Sequence, residues 1–206
     1  MPREEGAGLL FAALIAALLG GPPTTPEKVR LPARMMTVGR GLDERLGALL
    51  QRRAHHPLPT VLVVPEPLDA AGREALRAAG CRLLQALGPR AHLALLEPRA
   101  DLGLLKTLVV WAAPLEPVDH VDPRLWAGEA PSWARVDGGV KVLVTFYEGV
   151  TAEEAAAALA PFAPGARVHG PSGDWAATID GALLPQLAAQ DGIEWIEPGP
   201  DPMMPL

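Results

Sequence analysis

The residues that could do acid–base or metal chemistry are few and scattered along the chain. The five histidines are His55, His56, His92, His120 and His169. No two of them stand four residues apart with a glutamate between them, the arrangement of a zinc-protease helix. The only cysteine, Cys81, excludes a disulfide framework and a zinc site built from cysteines. We therefore predict neither a metal site nor a cofactor.

One short segment contains the residue types of a serine-hydrolase triad. His169, Ser172 and Asp174 lie within six residues of one another. A triad needs three groups that converge from separate elements beside an oxyanion site, whereas residues this close are typical of a hairpin turn. Gly39-Arg40-Gly41 lacks the third glycine of a dinucleotide fingerprint. We predict no catalytic residues, and hence a protein that is not an enzyme.

Composition excludes further classes of function. The 206 residues include 23 prolines and 21 glycines, and 49% are hydrophobic although only 4% are aromatic. This predicts short elements, many turns and a core of aliphatic side chains and alanine. A net charge of −6 and a pI near 5.4 argue against nucleic acid as a partner. Nine acidic and two basic side chains fall in residues 140–206, which we interpret as a solvated surface.

The N-terminus carries one long uncharged apolar run, from Gly8 to Gly21. Its core has the length of a signal-peptide hydrophobic region and is too short to span a bilayer. We predict a signal peptide over residues 1–22 and a secreted or periplasmic protein without stable membrane insertion after cleavage. Glu4 and Glu5 offset the positive charge expected before such a region, so a helix belonging to the fold is the alternative.

Two segments of the chain share one order of predicted elements. Each begins with a strand-like run, Val61-Leu62-Val63-Val64 set beside Val142-Leu143-Val144-Thr145. A helix follows, with Asp69 as N-cap in the first segment and a capping box of Thr151 and Glu154 in the second. Two short strands around a turn, a second apolar helix and a last strand complete each segment. A repeated unit of about 60 residues explains this agreement.

The agreement extends to both ends of the segments. The lead-ins are Leu42-Asp43-Glu44-Arg45-Leu46 and Val121-Asp122-Pro123-Arg124-Leu125. The last strands run Val110-Trp111-Ala112-Ala113-Pro114 and Glu194-Trp195-Ile196-Glu197-Pro198, with a tryptophan at the same place. The first helix of each segment is predicted to stop at a glycine, Gly80 or Gly165.

Each segment reads β-α-β-β-α-β, the split-βαβ or ferredoxin-like plan. We predict an α+β fold of two tandem ferredoxin-like units, each a four-stranded antiparallel sheet with two helices on one face and the other face open. The first unit spans residues 58–118 and the second unit residues 140–198. A Pro/Arg-rich lead-in with one helix covers 23–57, an irregular linker covers 119–139, and residues 199–206 form an extended tail.

Seven stretches carry a resemblance to a known family. They are Leu42-Asp43-Glu44-Arg45-Leu46, Pro59-Thr60-Val61-Leu62-Val63-Val64, Ala79-Gly80-Cys81-Arg82, Leu105-Lys106-Thr107-Leu108-Val109-Val110-Trp111, Val140-Lys141-Val142-Leu143-Val144 with Thr151-Ala152-Glu153-Glu154, and Leu187 to Pro198. Together they resemble the inhibitor-type propeptides, or prodomains, of subtilisin-like serine proteases. The last stretch, a helix of leucine and alanine followed by a strand closing in Glu-Pro, is the most family-like.

The resemblance implies a protease inhibitor, a folding chaperone, or both. In that family the open sheet face packs on two surface helices of the protease, and the C-terminal tail lies extended in the active-site cleft like a cleaved product. The protease-binding residues implied here are Met203, Met204, Pro205 and Leu206, with Leu206 in the primary specificity pocket. Prolines favour such an extended segment, which loses little entropy in a groove; a terminus without function is the alternative.

The catalytic sequence blocks of the protease are absent from these 206 residues. The expected partner is therefore a subtilisin-like serine protease, bound either in cis within a longer precursor or in trans. We favour the second unit for docking because it leads directly into the tail. The alternative function is a non-protease protein-interaction module of tandem ferredoxin-like domains.

Overall fold

The chain builds two five-stranded sheets and a small hairpin, with helices packed on one face of each sheet. The computed structural model describes residues 27–53, 56–170 and 173–200. Within these residues the architecture is α+β, as predicted. The predicted signal peptide, His55, Ser172 and the protease-binding residues Met203, Met204, Pro205 and Leu206 lie outside the described residues.

The first half of the chain forms the hairpin and the first sheet. Its strands are β1 (Lys28–Arg30), β2 (Met35–Thr37), β3 (Gly41–Leu42), β4 (Leu58–Val63), β5 (Cys81–Ala86), β6 (Ala91–Leu96) and β7 (Trp111–Pro114). Its helices are α1 (Arg45–Arg52), α2 (Ala70–Ala78) and α3 (Leu102–Leu108).

The second half of the chain forms the second sheet. Its strands are β8 (Arg135–Val136), β9 (Gly139–Phe146), β10 (Arg167–His169), β11 (Asp174–Ile179) and β12 (Ile193–Pro198). Its α-helices are α4 (Pro123–Trp126), α5 (Ala152–Leu159) and α6 (Leu184–Ala188), and its 3₁₀ turns are Pro117–His120, Ser132–Ala134 and Gly181–Leu183. The segment 119–139, predicted as an irregular linker, thus contains α4, a 3₁₀ turn and β8.

The two sheets have the same strand order. The first runs β3-β7-β4-β6-β5, and the second runs β10-β11-β9-β12 with β8 also paired to β9. The four strands of each predicted unit are numbered along the chain from β4 in the first sheet and from β9 in the second. Both sheets then place them side by side in the order second, third, first, fourth. Each sheet has five strands rather than the four predicted, because β3 pairs in parallel with β7 and β8 pairs with β9. Both sheets therefore include residues that precede the predicted unit boundaries.

Local signals in the sequence explain where the helices begin and end. The Asp69 carboxylate accepts a hydrogen bond from the Gly72 N–H, and Thr151 forms the predicted capping box with Glu154. α5 ends at Leu159 and not near the predicted stop at Gly165. Pro161 has no N–H with which to continue the helical ladder.

The lead-ins start both sheets in the same way. The Asp43 N–H donates to the carbonyl of Ala112, and the Asp122 N–H donates to the carbonyl of Ile196, each at 2.8 Å. Both contacts join a lead-in to the last strand of its unit, and in both cases that pairing is parallel. The similarity of the lead-ins in the sequence is therefore a similarity of structure.

These contacts also fix how the two first strands correspond. Ala112 pairs with Leu62, and Ile196 pairs with Val144, so Leu62 and Val144 are equivalent. The sequence alignment set Val63 beside Val144 and is wrong by one residue. β4 is buried over its whole length, and a strand buried on both faces has no alternation of apolar and polar residues to set its register.

The hairpin of β1 and β2 covers the face of the first sheet that lies opposite the helices. Val29, Leu31 and Met36 pack there against Val61 and Val63, both fully buried. The prediction that this face of the first unit is open is wrong. On the other face, α1, α2 and α3 contribute Leu46, Leu76 and Leu105 to a second apolar core.

Candidate functional site

The second sheet also has a face opposite its helices. The apolar side chains of the hairpin pack on the first sheet, and Leu31 and Pro32 border the second sheet at Trp195. Val142 and Val144 point to the helices and are buried, as the alternation in β9 predicted. The intervening residues of β9 lie on the opposite face. Across the four main strands the register forms one row of Arg167, Ala176, Leu143 and Glu197, and a second row of His169, Asp174, Thr145 and Trp195. We call this surface, with Lys141 and Thr178, the second-sheet face.

The two central strands of the second-sheet face place Leu143 beside Ala176, among the polar side chains of Lys141, Thr145, Asp174 and Thr178. Leu143, Ala176 and Trp195 are half-buried, while Lys141 and Glu197 are exposed. Thr145 donates its hydroxyl proton to the Asp174 carboxylate at 2.8 Å, which fixes two polar side chains within the face. A surface that mixes apolar and polar side chains in this way has the composition of a non-obligate protein-binding surface, which is about as apolar as the rest of a protein.

The chain leaves the second unit at the edge of this face. β12 pairs with β9 as far as Pro198, opposite Val142. The Gly199 N–H then donates to the Lys141 carbonyl at 2.9 Å, and the Gly199 carbonyl accepts a hydrogen bond from the indole Nε1–H of Trp133 at 3.2 Å. The predicted protease-binding residues follow a few positions later, outside the described residues. Sequence inspection had no signal for the part played by Trp133.

The equivalent face of the first unit offers no such surface. Trp111, the counterpart of Trp195, is 8% exposed beneath the hairpin. A Cβ atom on Gly39 would lie 2.9 Å from its indole nitrogen, so the chain after β2 packs directly on the ring. The sequence held a signal for one strand of this hairpin. Lys28-Val29-Arg30 alternates charged and apolar residues, whereas Met35 and Met36 are both apolar. In the structure, each strand buries only its middle residue.

Polar contacts hold the two halves of the chain together. The Arg34 guanidinium donates to both carboxylate oxygens of Asp119 at 2.8 and 2.7 Å, and the Asp119 side chain is fully buried. Arg53 forms an ion pair with Asp191, and Arg82 forms one with Glu148. The Arg34 contact ties the hairpin to the 3₁₀ turn that precedes the second unit.

His120 is buried at the same junction. Its Nδ1 lies 3.2 Å from the Glu194 carbonyl oxygen, and its ring meets that of Tyr147 edge-on. Burial lowers the pKa of His120 and raises the pKa of Tyr147. Burial, and secondarily the charge of Asp174, raises the pKa of Glu194. Tyr147 and Glu194 line a cavity of about 240 Å³ together with Leu31, Leu93 and Trp195, and we interpret these groups as parts of the junction between the two halves of the chain.

The other chemical candidates do not converge. His92 is buried in β6, and its Nε2 has no hydrogen-bond partner among the described residues. His169 and Asp174 face each other across the β10–β11 hairpin, as expected for a turn. Burial raises the pKa of Cys81 to about 12, so its thiol is not activated as a nucleophile. Within residues 27–53, 56–170 and 173–200, no three His, Cys, Asp or Glu side chains group as metal ligands.

In the part of the chain that the structure describes, no helix has the length and apolar character needed to cross a membrane.

No family model, curated protein or solved structure matches this chain. The resemblance to protease propeptides therefore stays a prediction. The second-sheet face and the chain that leaves its edge are the observations on which a functional proposal can rest.

Proposed function

We propose that the two units are ferredoxin-like modules in tandem. The shared strand order of second, third, first and fourth, with helices on one face, supports this assignment. The lead-in strand β3 and the added strand β8 are additions at the sheet edges. They leave the central four-strand order of each unit unchanged.

We further propose that the protein is a propeptide-like inhibitor of a subtilisin-like serine protease, a folding chaperone for it, or both. The single observation that carries this proposal is the geometry of the second unit. Its second-sheet face, which borders the hairpin at Trp195 and extends away from it to Lys141, adjoins an edge strand, β12, that leads within one residue into the C-terminal segment. A docked sheet face followed by an extended tail matches the mode implied by the family resemblance.

In this proposal the two units have different roles. The first unit is a scaffold, because its own face is closed by β1 and β2 and packed to zero exposure at Val61 and Val63. The second unit docks, and Met203, Met204, Pro205 and Leu206 lie in the cleft of the protease. The partner is bound in cis or in trans. No nucleic acid and no cofactor takes part.

The test is a titration of the purified chain from residue 23 against a subtilisin-type protease with a chromogenic substrate. We expect competitive inhibition that is lost when residues 203–206 are deleted. A variant in which these four residues are replaced by Gly-Ser-Gly-Ser keeps the tail length and is the matched control. We expect it to inhibit as poorly as the deletion.

A folded chain that does not inhibit at tens of micromolar would contradict the proposal. Inhibition that survives both tail variants would contradict the role of residues 203–206. The first result would favour a non-protease partner on the second-sheet face, whereas the second would keep the protease as partner and assign inhibition to the docked surface alone. Folding of the chain is verified by circular dichroism in each case.

A further inference from the structure

The last described residues are held on two sides. Pro198 is the final residue of β12 and pairs with Val142. Beyond it, Gly199 keeps the register by donating its N–H to the Lys141 carbonyl, while its own carbonyl accepts the Trp133 indole N–H. A Cβ atom on Gly199 would lie 3.2 Å from the Cβ of Lys141, so the absence of a side chain permits this close approach.

The edge of β9 is already occupied beyond this point. At Val140, the strand β11 fills one edge through Ile179, and β8 fills the other through Arg135. The edge that β8 takes is the one along which β12 runs. A chain continuing straight on from Gly199 would meet β8, so it has to leave the sheet there.

Trp133 is itself fixed in place. It lies in the 3₁₀ turn Ser132–Ala134, whose last residue, Ala134, is fully buried. The next residue, Arg135, donates its Nε proton to the Ala130 carbonyl at 2.6 Å and begins β8. Trp133 is 39% exposed, so its ring lies at the surface of the protein.

We infer that residues 131–136, which we call the diverting segment, orient the start of the C-terminal tail. β8 blocks the sheet edge, and Trp133 holds the Gly199 carbonyl, so Gly199 and Pro200 leave the edge of β9 in one direction. Trp133 is a positioning residue that acts through the tail. The inference rests on the proposed function and adds the element that orients its binding segment.

The physical gain is a smaller entropy loss on binding. A tail anchored at Gly199 by two hydrogen bonds samples fewer directions than a tail that frays back to Pro198. Preorganisation of this kind raises affinity without a new contact to the partner. The same inference gives a role to β8, a strand of only two residues that pairs with the edge of β9.

The test compares Trp133→Phe, which keeps an aromatic ring and loses the donor, with Trp126→Phe as a matched control. Trp126 also lies in residues 119–139, the predicted linker between the two units, and it has the same 39% exposure as Trp133. The exchange rate of the Gly199 amide proton is measured by NMR without any partner, and the inhibition constant is measured against the protease. For chains lacking residues 203–206, which are not expected to inhibit, the dissociation constant of the complex with the protease is measured instead. Both variants are also made in a chain that lacks residues 203–206.

We expect Trp133→Phe to accelerate Gly199 exchange and to raise the inhibition constant, each by about three- to tenfold, the range of one net hydrogen bond. In the chain lacking residues 203–206, the same substitution should leave residual binding unchanged, because a residue acting through the tail has no effect without it. Trp126→Phe should change neither quantity.

Unchanged Gly199 exchange, or an equal loss of affinity with and without residues 203–206, would overturn the inference while leaving the proposed function intact. A wild-type chain that fails to inhibit would overturn the proposed function, and with it the role of Trp133. This outcome is distinguishable because inhibition is then absent before any substitution is made.

Discussion

Asp43 and Asp122 make the same set of contacts at the start of the two sheets. Each donates its backbone N–H to a carbonyl of the last strand, and each carboxylate accepts hydrogen bonds from the side chain and backbone of the arginine two residues on, Arg45 or Arg124. The lead-ins are therefore part of the repeated unit. Each one joins the edge of its sheet and delivers a buried leucine, Leu46 or Leu125, to the core.

This relationship predicts a pH-dependent loss of stability in Asp122→Ala. The Arg124 hydrogen bonds lower the pKa of Asp122, so its contribution is present above the unfolded pKa of about 3.9 and lost as the pH falls through the lower folded value. We expect the free energy of unfolding in urea to fall by about 1–2 kcal/mol at pH 7, as for the loss of a helix cap. The loss should shrink near pH 3.

Asp137→Ala, in the exposed turn between β8 and β9, is the control and should change little. A loss in Asp122→Ala that is equally large at pH 7 and pH 3 would show that the carboxylate charge has no part in it.

A second prediction concerns the buried carboxylate of Asp119. Arg34→Ala removes its ionic partner and leaves a fully buried charge. We expect the free energy of unfolding to fall by about 3 kcal/mol, the lower end for a broken buried pair because Arg34 is itself partly exposed. The double variant Arg34→Met with Asp119→Leu should recover most of this loss.

Arg77→Ala breaks an exposed ion pair with Glu74 and serves as the control, with little change expected. If the double variant were as unstable as Arg34→Ala, the cost would come from lost packing of the hairpin and not from an uncompensated charge.

The third prediction is a loss of stability in mild acid. Burial lowers the pKa of both His92 and His120, so the unfolded chain takes up protons below about pH 6.5 before the folded chain does. The free energy of unfolding should therefore decrease as the pH falls from 7.5 to 5. His92→Leu, which removes the buried Nε2 without a partner, should reduce that slope.

His169→Leu, in the β10–β11 hairpin, controls for the loss of a histidine as such. A slope that His92→Leu leaves unaltered would assign the acid sensitivity to His120 or to the carboxylates.

The fourth prediction tests the second-sheet face. Leu143→Arg places a charge on this half-buried part of the face and should raise the inhibition constant about tenfold or more, because the charge, even with Glu197 opposite it, has to be desolvated on docking. Leu104→Arg makes the same change at a residue of α3 that is 38% exposed and lies on the other half of the chain. Equal inhibition by the two variants would place the docking surface elsewhere.

Much of the fold was predictable from local signals in the sequence. The caps at Asp69 and Thr151, the alternation in β9 and the matching lead-ins each depend on residues close together in the chain, and the structure confirms them. The register of β4 was not predictable. Its burial on both faces depends on a hairpin more than twenty residues earlier, and short-range alternation carries no trace of that contact.

The candidate site was predictable only in outline. The order of elements indicated which unit leads into the tail, but nothing in the sequence linked Trp133 to Gly199, which are 66 positions apart. That contact depends on β8 and β12 sharing one edge of β9. A pairing set by the whole sheet leaves no signature in either short segment.

The most direct measurement of the central claim uses the three lysines of the chain, Lys28, Lys106 and Lys141, all exposed. They lie on the hairpin, on α3 and on the second-sheet face. Their acetylation rates are compared by mass spectrometry with and without a subtilisin-type protease whose nucleophilic serine is replaced by alanine. We predict that Lys141 alone is protected, by about tenfold or more if it is buried on docking. Equal rates at all three lysines, or protection of Lys28 or Lys106 with Lys141 still reactive, would contradict docking through the second-sheet face.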